Sequence, residues 1–286
     1  MSGFPRTSVE GLSLPRMLIG TNWFLGFSHT SRAKDAFIKR TMSRDAIAEV
    51  LIAFFEAGID AVYGCRPEAP HLEEAIRDAE DRTGRKCLRI STPSLDTSGT
   101  DEAAAENARI LDAHAELGVA LCGPHQNTTD VLLDGRDRTI REGREIVAMI
   151  RERGMVPMLS THTPEAPVYA DETDLDVGTY IQIYNAAGFL MQIEVDWVQR
   201  MIWQRRRPVI AIKPFAAGRL HPLVGLAFCY ATLRPCDMVC VGTLTPDEAR
   251  ELIEISHALF EGRCPDHELQ RTRSKAAVEA GESRSG

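Results

Sequence analysis

Residues 180–214, YIQIYNAAGFLMQIEVDWVQRMIWQRRRPVIAIKP, contain one complete strand–helix–strand unit. Residues 180–184 and 209–214 are short and almost wholly apolar, which is typical of strands buried on both faces of a parallel sheet. Between them, residues 194–204 carry apolar side chains at helical spacing. Three arginines at 205–207 follow, where cations favour the C-terminal end of a helix dipole. The stretch therefore predicts a β-strand, a helix and a second, parallel β-strand.

The same unit repeats along the chain in both directions from this stretch. The apolar runs predicted as strands end near Trp23, Tyr63, Thr92, Gly123, Thr161, Tyr184, Pro214 and Gly242. The other predicted helices are residues 46–57, 70–83, 101–117, 139–153, a short one around 164–170, 222–233, and one that begins after Thr245. Eight such units in 286 residues predict a single-domain (β/α)₈ barrel, the TIM barrel fold of the α/β class.

An open, doubly wound sheet is the competing α/β architecture. It usually carries a G-x-G-x-x-G turn after its first strand, whereas the sequence here is Gly-Thr-Asn-Trp-Phe-Leu-Gly at residues 20–26. No linker divides the chain into two domains. After Cys264 the sequence turns polar and ends in Gly-Glu-Ser-Arg-Ser-Gly. We therefore expect the barrel in residues 1–264 and a disordered tail in residues 265–286.

Charge and composition narrow the classes of partner. The net charge is −8 and the isoelectric point is near 5.6, which argues against a nucleic-acid partner because no basic surface remains to neutralise phosphates. No stretch approaches the roughly 20 apolar residues of a membrane span, and the first 16 residues lack the apolar core of a signal peptide. Seven cysteines, an odd number without a CxxC motif, fit buried thiols in a reducing compartment. We expect a cytoplasmic protein that acts on a small molecule.

The ends of the predicted strands carry the candidate functional residues, because barrel enzymes build their active sites there. His125 and His162 follow two of these strands, and imidazole can move protons near neutral pH. Each could equally be a loop histidine held by a hydrogen bond. Lys213 ends an apolar strand, so its ammonium must meet either an ion-pair partner or a ligand. The helix start at residues 242–247 offers free N–H groups that suit an anion.

Several segments together resemble the aldo-keto reductase family, and the resemblance spans nearly the whole chain. The matching segments are residues 6–26, Leu-Ser-Thr-His-Thr-Pro-Glu at 159–165, Ile-Gln-Ile-Tyr-Asn at 181–185, Ile-Lys-Pro-Phe-Ala-Ala-Gly-Arg-Leu at 212–220 and Val-Gly-Thr-Leu-Thr-Pro-Asp-Glu at 241–248. The last two are moderately specific, and the others are weak singly. The resemblance implies a short N-terminal hairpin before the barrel and reduction of small carbonyl compounds with NADP(H).

The resemblance also implies roles for individual residues. His125 and Tyr63 correspond to the family's catalytic histidine and tyrosine, while Ser160 and Gln182 correspond to the residues that hold the nicotinamide carboxamide. The loop along the cofactor contains Lys213, Gly218 and Arg219. The segment that holds the adenosine phosphate contains Gly242, Thr243, Thr245 and Arg250.

The catalytic tetrad of the family is incomplete here. The strand-two segment at residues 58–64 is too short, so Asp60 stands too early for the catalytic aspartate. The third strand ends in Ile-Ser-Thr-Pro at residues 90–93, where the family has a lysine that lowers the pKa of the tyrosine. Two alternatives therefore stay open. One is a non-redox lyase, isomerase or hydrolase with His125 or His162 in its site, with or without a divalent metal, and the other is a non-catalytic ligand-binding barrel.

Overall fold

The computed structural model describes residues 3–267, 269, 275 and 276, and it contains a closed barrel of eight parallel strands. The strands are β1 (Arg6–Val9), β2 (Leu12–Pro15), β3 (Met17–Gly20), β4 (Ala61–Tyr63), β5 (Leu88–Ser91), β6 (Val119–Cys122), β7 (Leu133–Asp134), β8 (Thr139–Ile140), β9 (Val156–Ser160), β10 (Thr179–Ile183), β11 (Val209–Ile212) and β12 (Met238–Val241). The barrel runs β3–β4–β5–β6–β9–β10–β11–β12 and closes where β12 pairs with β3, with Val241 opposite Ile19. The predicted (β/α)₈ fold is confirmed.

Helices follow the barrel strands and cover the outside of the sheet. They are α1 (Arg32–Thr41), α2 (Arg44–Glu56), α3 (Pro70–Thr83), α4 (Asp101–Glu116), α5 (Gln126–Leu132), α6 (Gly143–Glu152), α7 (Ala166–Glu172), α8 (Val195–Trp203), α9 (Pro222–Thr232) and α10 (Pro246–Glu261). The Ser43 hydroxyl accepts the Ala46 N–H at the start of α2, and α10 starts with a capping box formed by Thr245 and Glu248. Both helix starts lie where the sequence predicted them.

Several local elements, among them the unpredicted helix α5, differ from the sequence predictions. The helix predicted at residues 139–153 begins only at Gly143, because β7 and β8 form an antiparallel hairpin. The Asp134 carboxylate accepts the N–H groups of Arg136 and Asp137 and so forms the turn of this hairpin. The first strand ends at Gly20 rather than residue 23, and α1 was not predicted. Helix α1 could not be predicted from apolar periodicity, because Ile38 is the one residue that it buries.

The two ends of the chain complete the description. The expected N-terminal hairpin is present as β1 paired with β2. The tail predicted at residues 265–286 lies mostly outside the described residues. All seven cysteines are free thiols, and five of them are buried. In the part of the chain that the structure describes, no helix has the length and apolarity needed to cross a bilayer.

Candidate active site

The C-terminal ends of the barrel strands surround a cavity of about 1060 Å³. It continues from the barrel mouth into a groove between residues 213–222 and the start of α10. Of the residues singled out from the sequence, the lining includes Tyr63, His125, Ser160, His162, Lys213, Gly218, Gly242 and Thr243. Side chains from seven of the eight barrel strands or their following loops therefore meet in one space, as the carboxyl ends of a parallel barrel require.

Four predicted cofactor residues lie outside this cavity: Gln182, Arg219, Thr245 and Arg250. Gln182 lies on the same face of β10 as Tyr180, whose hydroxyl donates to Asp171 of α7 at 2.7 Å, so both side chains face the helices. Gln182 lines a separate small cavity there, and neither of its amide atoms has a hydrogen-bond partner among the described residues. This orientation does not place Gln182 where the resemblance requires it.

The three other residues outside the cavity are held by contacts of their own. The Arg219 guanidinium lies over the Phe189 ring at 4.2 Å from its centre. The Thr245 hydroxyl accepts the Glu248 N–H at 3.1 Å as the cap of α10. Arg250 pairs with Asp247 at 2.9 Å on the exposed face of that helix. The two arginines are exposed and their contacts are weak, so either side chain could turn towards a ligand.

Lys213 places an ammonium group inside the barrel mouth. Its Nζ lies 3.4 Å from His29 Nε2, and the amide nitrogen of Asn22 lies 3.1 Å from the same imidazole nitrogen. An ammonium and an amide NH₂ can only donate, so His29 Nε2 accepts from both and its proton sits on Nδ1. Burial, and then the Lys213 charge, lower the pKa of His29. The residue is therefore a neutral base beside the lysine.

The loop that contains His29 is fixed by α1, the helix that sequence reasoning missed. Asp35 of α1 accepts from the Ser28 N–H at 2.8 Å and from the Ser28 hydroxyl at 2.6 Å. These hydrogen bonds hold the pKa of Asp35 below its usual value. They also hold His29 in a left-handed conformation, with φ of 56°. The sequence signal for this arrangement was an acid seven residues after a serine, which is not specific.

His162 is half-buried in the same cavity. Burial lowers its pKa to about 4, and the charges of Lys213, His125 and His29 act in the same direction. Its backbone is held by Asp130 of α5, which accepts the His162 N–H at 3.2 Å and the Thr161 hydroxyl proton. His162 is therefore a neutral imidazole at physiological pH and can accept a proton there. Asp130 was not singled out from the sequence, because nothing local connects it to residues 161–163.

His125 both caps α5 and lines the cavity. Its Nδ1 lies 2.8 Å from the Asn127 side-chain oxygen and 3.4 Å from the Asn127 N–H, which leaves Nε2 without a protein partner among the described residues. The backbone that leads to His125 requires glycine at position 123, because a Cβ at that position would lie 2.0 Å from the Met158 carbonyl oxygen. The hydrogen-bonded loop role and the cavity role considered from the sequence are thus both structurally present.

Tyr63 ends β4 and faces the cavity, but among the described residues no lysine lies beside its hydroxyl. Its Oη lies 3.5 Å from Thr92 Oγ1, and burial raises the pKa of the phenol. Arg66 acts only weakly in the opposite direction, as the smallest of the influences on this group. A tyrosine with a raised pKa gives up its proton less readily than the family's tyrosine would.

The backbone of the loop after β11 is unusual. Lys213, Ala216 and Ala217 have φ values of 60°, 49° and 56°, in the left-handed region that side chains other than glycine seldom adopt. Gly218 follows with φ of 83°. Three strained non-glycine residues in six positions indicate that the surrounding structure holds this loop in one shape, as is often observed at ligand sites.

The start of α10 carries acid rather than an open anion site. The Glu248 carboxylate accepts the Leu244 N–H at 2.7 Å and the Thr245 N–H at 3.3 Å. Glu248 and Glu251 both line the groove. Next to them, the Thr243 hydroxyl is buried, lines the cavity and has no hydrogen-bond partner among the described residues. The backbone N–H groups at this helix start were predicted from the sequence to be free for an anion. Two of them already donate to Glu248.

The described residues contain no group of three or more His, Cys, Asp or Glu side chains arranged to hold a metal ion. His125 and His162 line one cavity, but no third His, Cys, Asp or Glu side chain of the described residues is arranged with them to hold a metal ion. The metal-assisted alternative is therefore not supported by this arrangement.

Comparisons with known proteins find similar structures but no match in sequence. No protein-family model matches the sequence, and no curated protein matches it. A candidate aldo-keto reductase from Pseudomonas aeruginosa is 16% identical, with a TM-score of 0.63 over 89% of this chain and 95% of that one. An aldo/keto reductase from Brucella melitensis is 13% identical, with a TM-score of 0.58 over 98% of both chains.

A third structure has a bound cofactor. It is an aldo-keto reductase from Klebsiella pneumoniae in complex with NADPH, 15% identical, with a TM-score of 0.54 over 97% of this chain and 94% of that one. At these identities the likeness establishes a shared barrel fold. The chain is thus similar in fold to the aldo-keto reductases along nearly its whole length.

Proposed function

We propose that this protein is an oxidoreductase of the aldo-keto reductase type, which reduces a small carbonyl compound with hydride from NADP(H). The observation that carries the proposal is the continuous cavity, which joins the histidines of the barrel mouth to the groove between residues 213–222 and α10. A nicotinamide ring and a substrate could share the mouth while the rest of the cofactor follows the groove. The fold likeness to a reductase that binds NADPH supports the same reading.

The residues of the groove fit a polar, extended ligand. The unpartnered Thr243 hydroxyl is 4% exposed, and a buried hydroxyl without a partner costs about 1–3 kcal/mol, which a ligand hydrogen bond would recover. The Lys213 ammonium and the strained loop that follows it line the other side. Thr243, Gly218 and Lys213 are therefore the residues that would hold the dinucleotide, which supplies the hydride when it is bound.

The chain's own residues must deliver the proton that reduction of a carbonyl requires. Tyr63 is poorly suited because burial raises the pKa of its phenol and no lysine of the described part of the chain lies beside it. His125 keeps Nε2 free towards the cavity, and His162 can relay a proton as a neutral imidazole. We assign His125 as the first proton donor, acting from the imidazolium form in which Nε2 also carries a proton, with His162 orienting the carbonyl oxygen through its ring N–H.

Titration of NADPH, followed by its fluorescence, tests this proposal. We expect saturable binding at micromolar concentration, and oxidation of NADPH when a reducible aldehyde or ketone is added. Thr243→Val should weaken binding by about 1–3 kcal/mol, since it removes the unpartnered hydroxyl. Thr173→Val is the matched control. It removes a hydroxyl that lies outside the cavity and donates a hydrogen bond to the Tyr169 carbonyl oxygen, so it should leave binding unchanged.

Two results would contradict the proposal. One is the absence of binding by both NADPH and NADH at high micromolar concentration. The other is binding that Thr243→Val and Thr173→Val alter equally, because the groove would then not be the site. In either case, a non-redox function of the same cavity would become the better-supported hypothesis.

A further inference from the structure

Lys213 lacks an acidic partner in the part of the chain that the structure describes. Among the described residues, no Asp or Glu oxygen lies within ion-pair distance of its Nζ, and the polar neighbour that it does have is the neutral imidazole of His29 at 3.4 Å. The thiol of Cys240, which also lines the cavity, is held protonated because burial raises its pKa to about 12. A half-buried ammonium without a counterion is costly. The side chain therefore either meets an anionic ligand or loses its proton.

The surroundings raise the fraction of Lys213 that is present as the neutral amine. Burial lowers the pKa of Lys213, and His29 Nε2 is within reach to take the proton. A lysine becomes nucleophilic when desolvation or an adjacent base keeps part of it unprotonated. The backbone at Lys213 is also held in a left-handed conformation, which fixes the direction in which the side chain leaves β11. These features prepare the amine for reaction inside a cavity that a small molecule can enter.

We propose that Lys213 is a nucleophile that forms an imine with a small aldehyde or ketone bearing an anionic group. The neutral amine attacks the carbonyl carbon and the π electron pair moves to oxygen. One nitrogen proton then passes to that oxygen through His162, which gives the neutral carbinolamine. The hydroxyl group takes up one further proton and leaves as water, and the remaining nitrogen proton is released as the carbon–nitrogen double bond forms, so that water is the only by-product and no oxidant or reductant is consumed. His29 relays to solvent the proton that the Lys213 ammonium must first lose.

Arg66 supplies the reason for an anionic substrate. Its guanidinium lines the same cavity and lies 5.9 Å from the centre of the Phe27 ring. The described carboxylates include none in ion-pair contact with Arg66, although Glu68 also lines the cavity. An unpaired guanidinium in a cavity is suited to a carboxylate or phosphate, which it can bind with two hydrogen bonds. Arg66 would thus hold the anionic end while Lys213 meets the carbonyl.

The imine would give the cavity a chemistry that does not depend on the proposed hydride transfer. A protonated imine withdraws electrons from the neighbouring carbon, which makes a proton on that carbon easier to remove. His162 is neutral at physiological pH and lines the same space, so it can accept that proton. The resulting activity would be that of an isomerase or lyase acting next to a carbonyl group.

Trapping with borohydride tests the proposal on the full chain without any nucleotide. The protein is incubated with glyoxylate, a small aldehyde with a carboxylate, then reduced, and the modified lysines are mapped by peptide mass spectrometry. The chain has only five lysines, at positions 34, 39, 86, 213 and 275. We expect a saturable adduct on Lys213 at probe concentrations that leave the exposed Lys86 unmodified.

Matched variants separate this result from general amine reactivity. Lys213→Arg should lose the adduct while keeping a positive charge, Lys86→Arg should keep it, and Arg66→Met should raise the glyoxylate concentration needed for half-saturation. Labelling of wild-type lysines in order of their exposure, with an unmodified Lys213 peptide recovered, would overturn the proposal without needing any variant to fold. Because no nucleotide is present, that failure leaves the NADPH titration unaffected, and failed NADPH binding leaves this assay unaffected.

Discussion

Replacing His162 by glutamine should make the protein less sensitive to acid. In the unfolded chain a histidine takes up its proton near pH 6.5, whereas burial and neighbouring charges lower the pKa of folded His162 to about 4. Between these pH values the unfolded state binds the additional proton, so acidification through this window favours unfolding. The destabilisation is absent above pH 6.5 and complete below pH 4.

The magnitude follows from the size of the shift. A difference of about 2.5 pKa units would correspond to about 3.4 kcal/mol if it were fully expressed. His162 is only half-buried, so solvent screening reduces this figure, and we expect about 1–2 kcal/mol. Wild-type protein should therefore lose that much more unfolding free energy between pH 7 and pH 4 than His162→Gln does.

Urea unfolding at a series of pH values, followed by circular dichroism, measures this difference. His71→Gln provides the control, because His71 is exposed on α3 and outside the cavity. An NMR titration of His162 in Lys213→Met should also show a higher pKa, since the ammonium is the largest charge acting on it. Equal acid dependence in wild type and His162→Gln, or an unshifted His162 with a pKa near 6.5, would refute this reasoning.

Three further predictions concern the site and its support. His125→Asn should keep the α5 cap and lose about 10²–10⁴-fold in turnover of a carbonyl substrate found by NADPH oxidation, while His125→Ala should in addition lose about 1 kcal/mol of stability; normal turnover by the asparagine variant would reduce His125 to a cap. Glu248→Gln should strengthen NADPH binding by about 0.3–1 kcal/mol, because it removes a negative charge from the start of α10, and fluorescence titration showing weaker binding would contradict this. Arg89→Met should lower the unfolding free energy in urea by about 3–5 kcal/mol, since it leaves the buried carboxylates of Glu73 and Glu80 without their shared cation; a loss below 1 kcal/mol would show that these acids find other partners.

The sequence by itself determined the barrel fold and the end of the barrel at which the candidate site lies. Apolar runs and helical periodicity are local properties of the sequence. The eight strand–helix units and the helix starts at Ser43 and Thr245 could therefore be predicted without knowledge of any tertiary contact. Because strand ends of a parallel barrel meet at one edge, the same reading placed His125, His162 and Lys213 in one mouth.

Only the tertiary structure decided which of these groups meet and which way they face. Lys213 contacts His29 across 184 residues of sequence, and Asp130 positions His162 from another helix. Gln182 faces the helices rather than the mouth, since one position of register decides the face of a strand. Closure of the barrel brings distant residues together and sets their burial. The pKa of His162, the lack of an acidic partner for Lys213 among the described residues and the position of Glu248 at the start of α10 depend on those contacts, which no local pattern encodes.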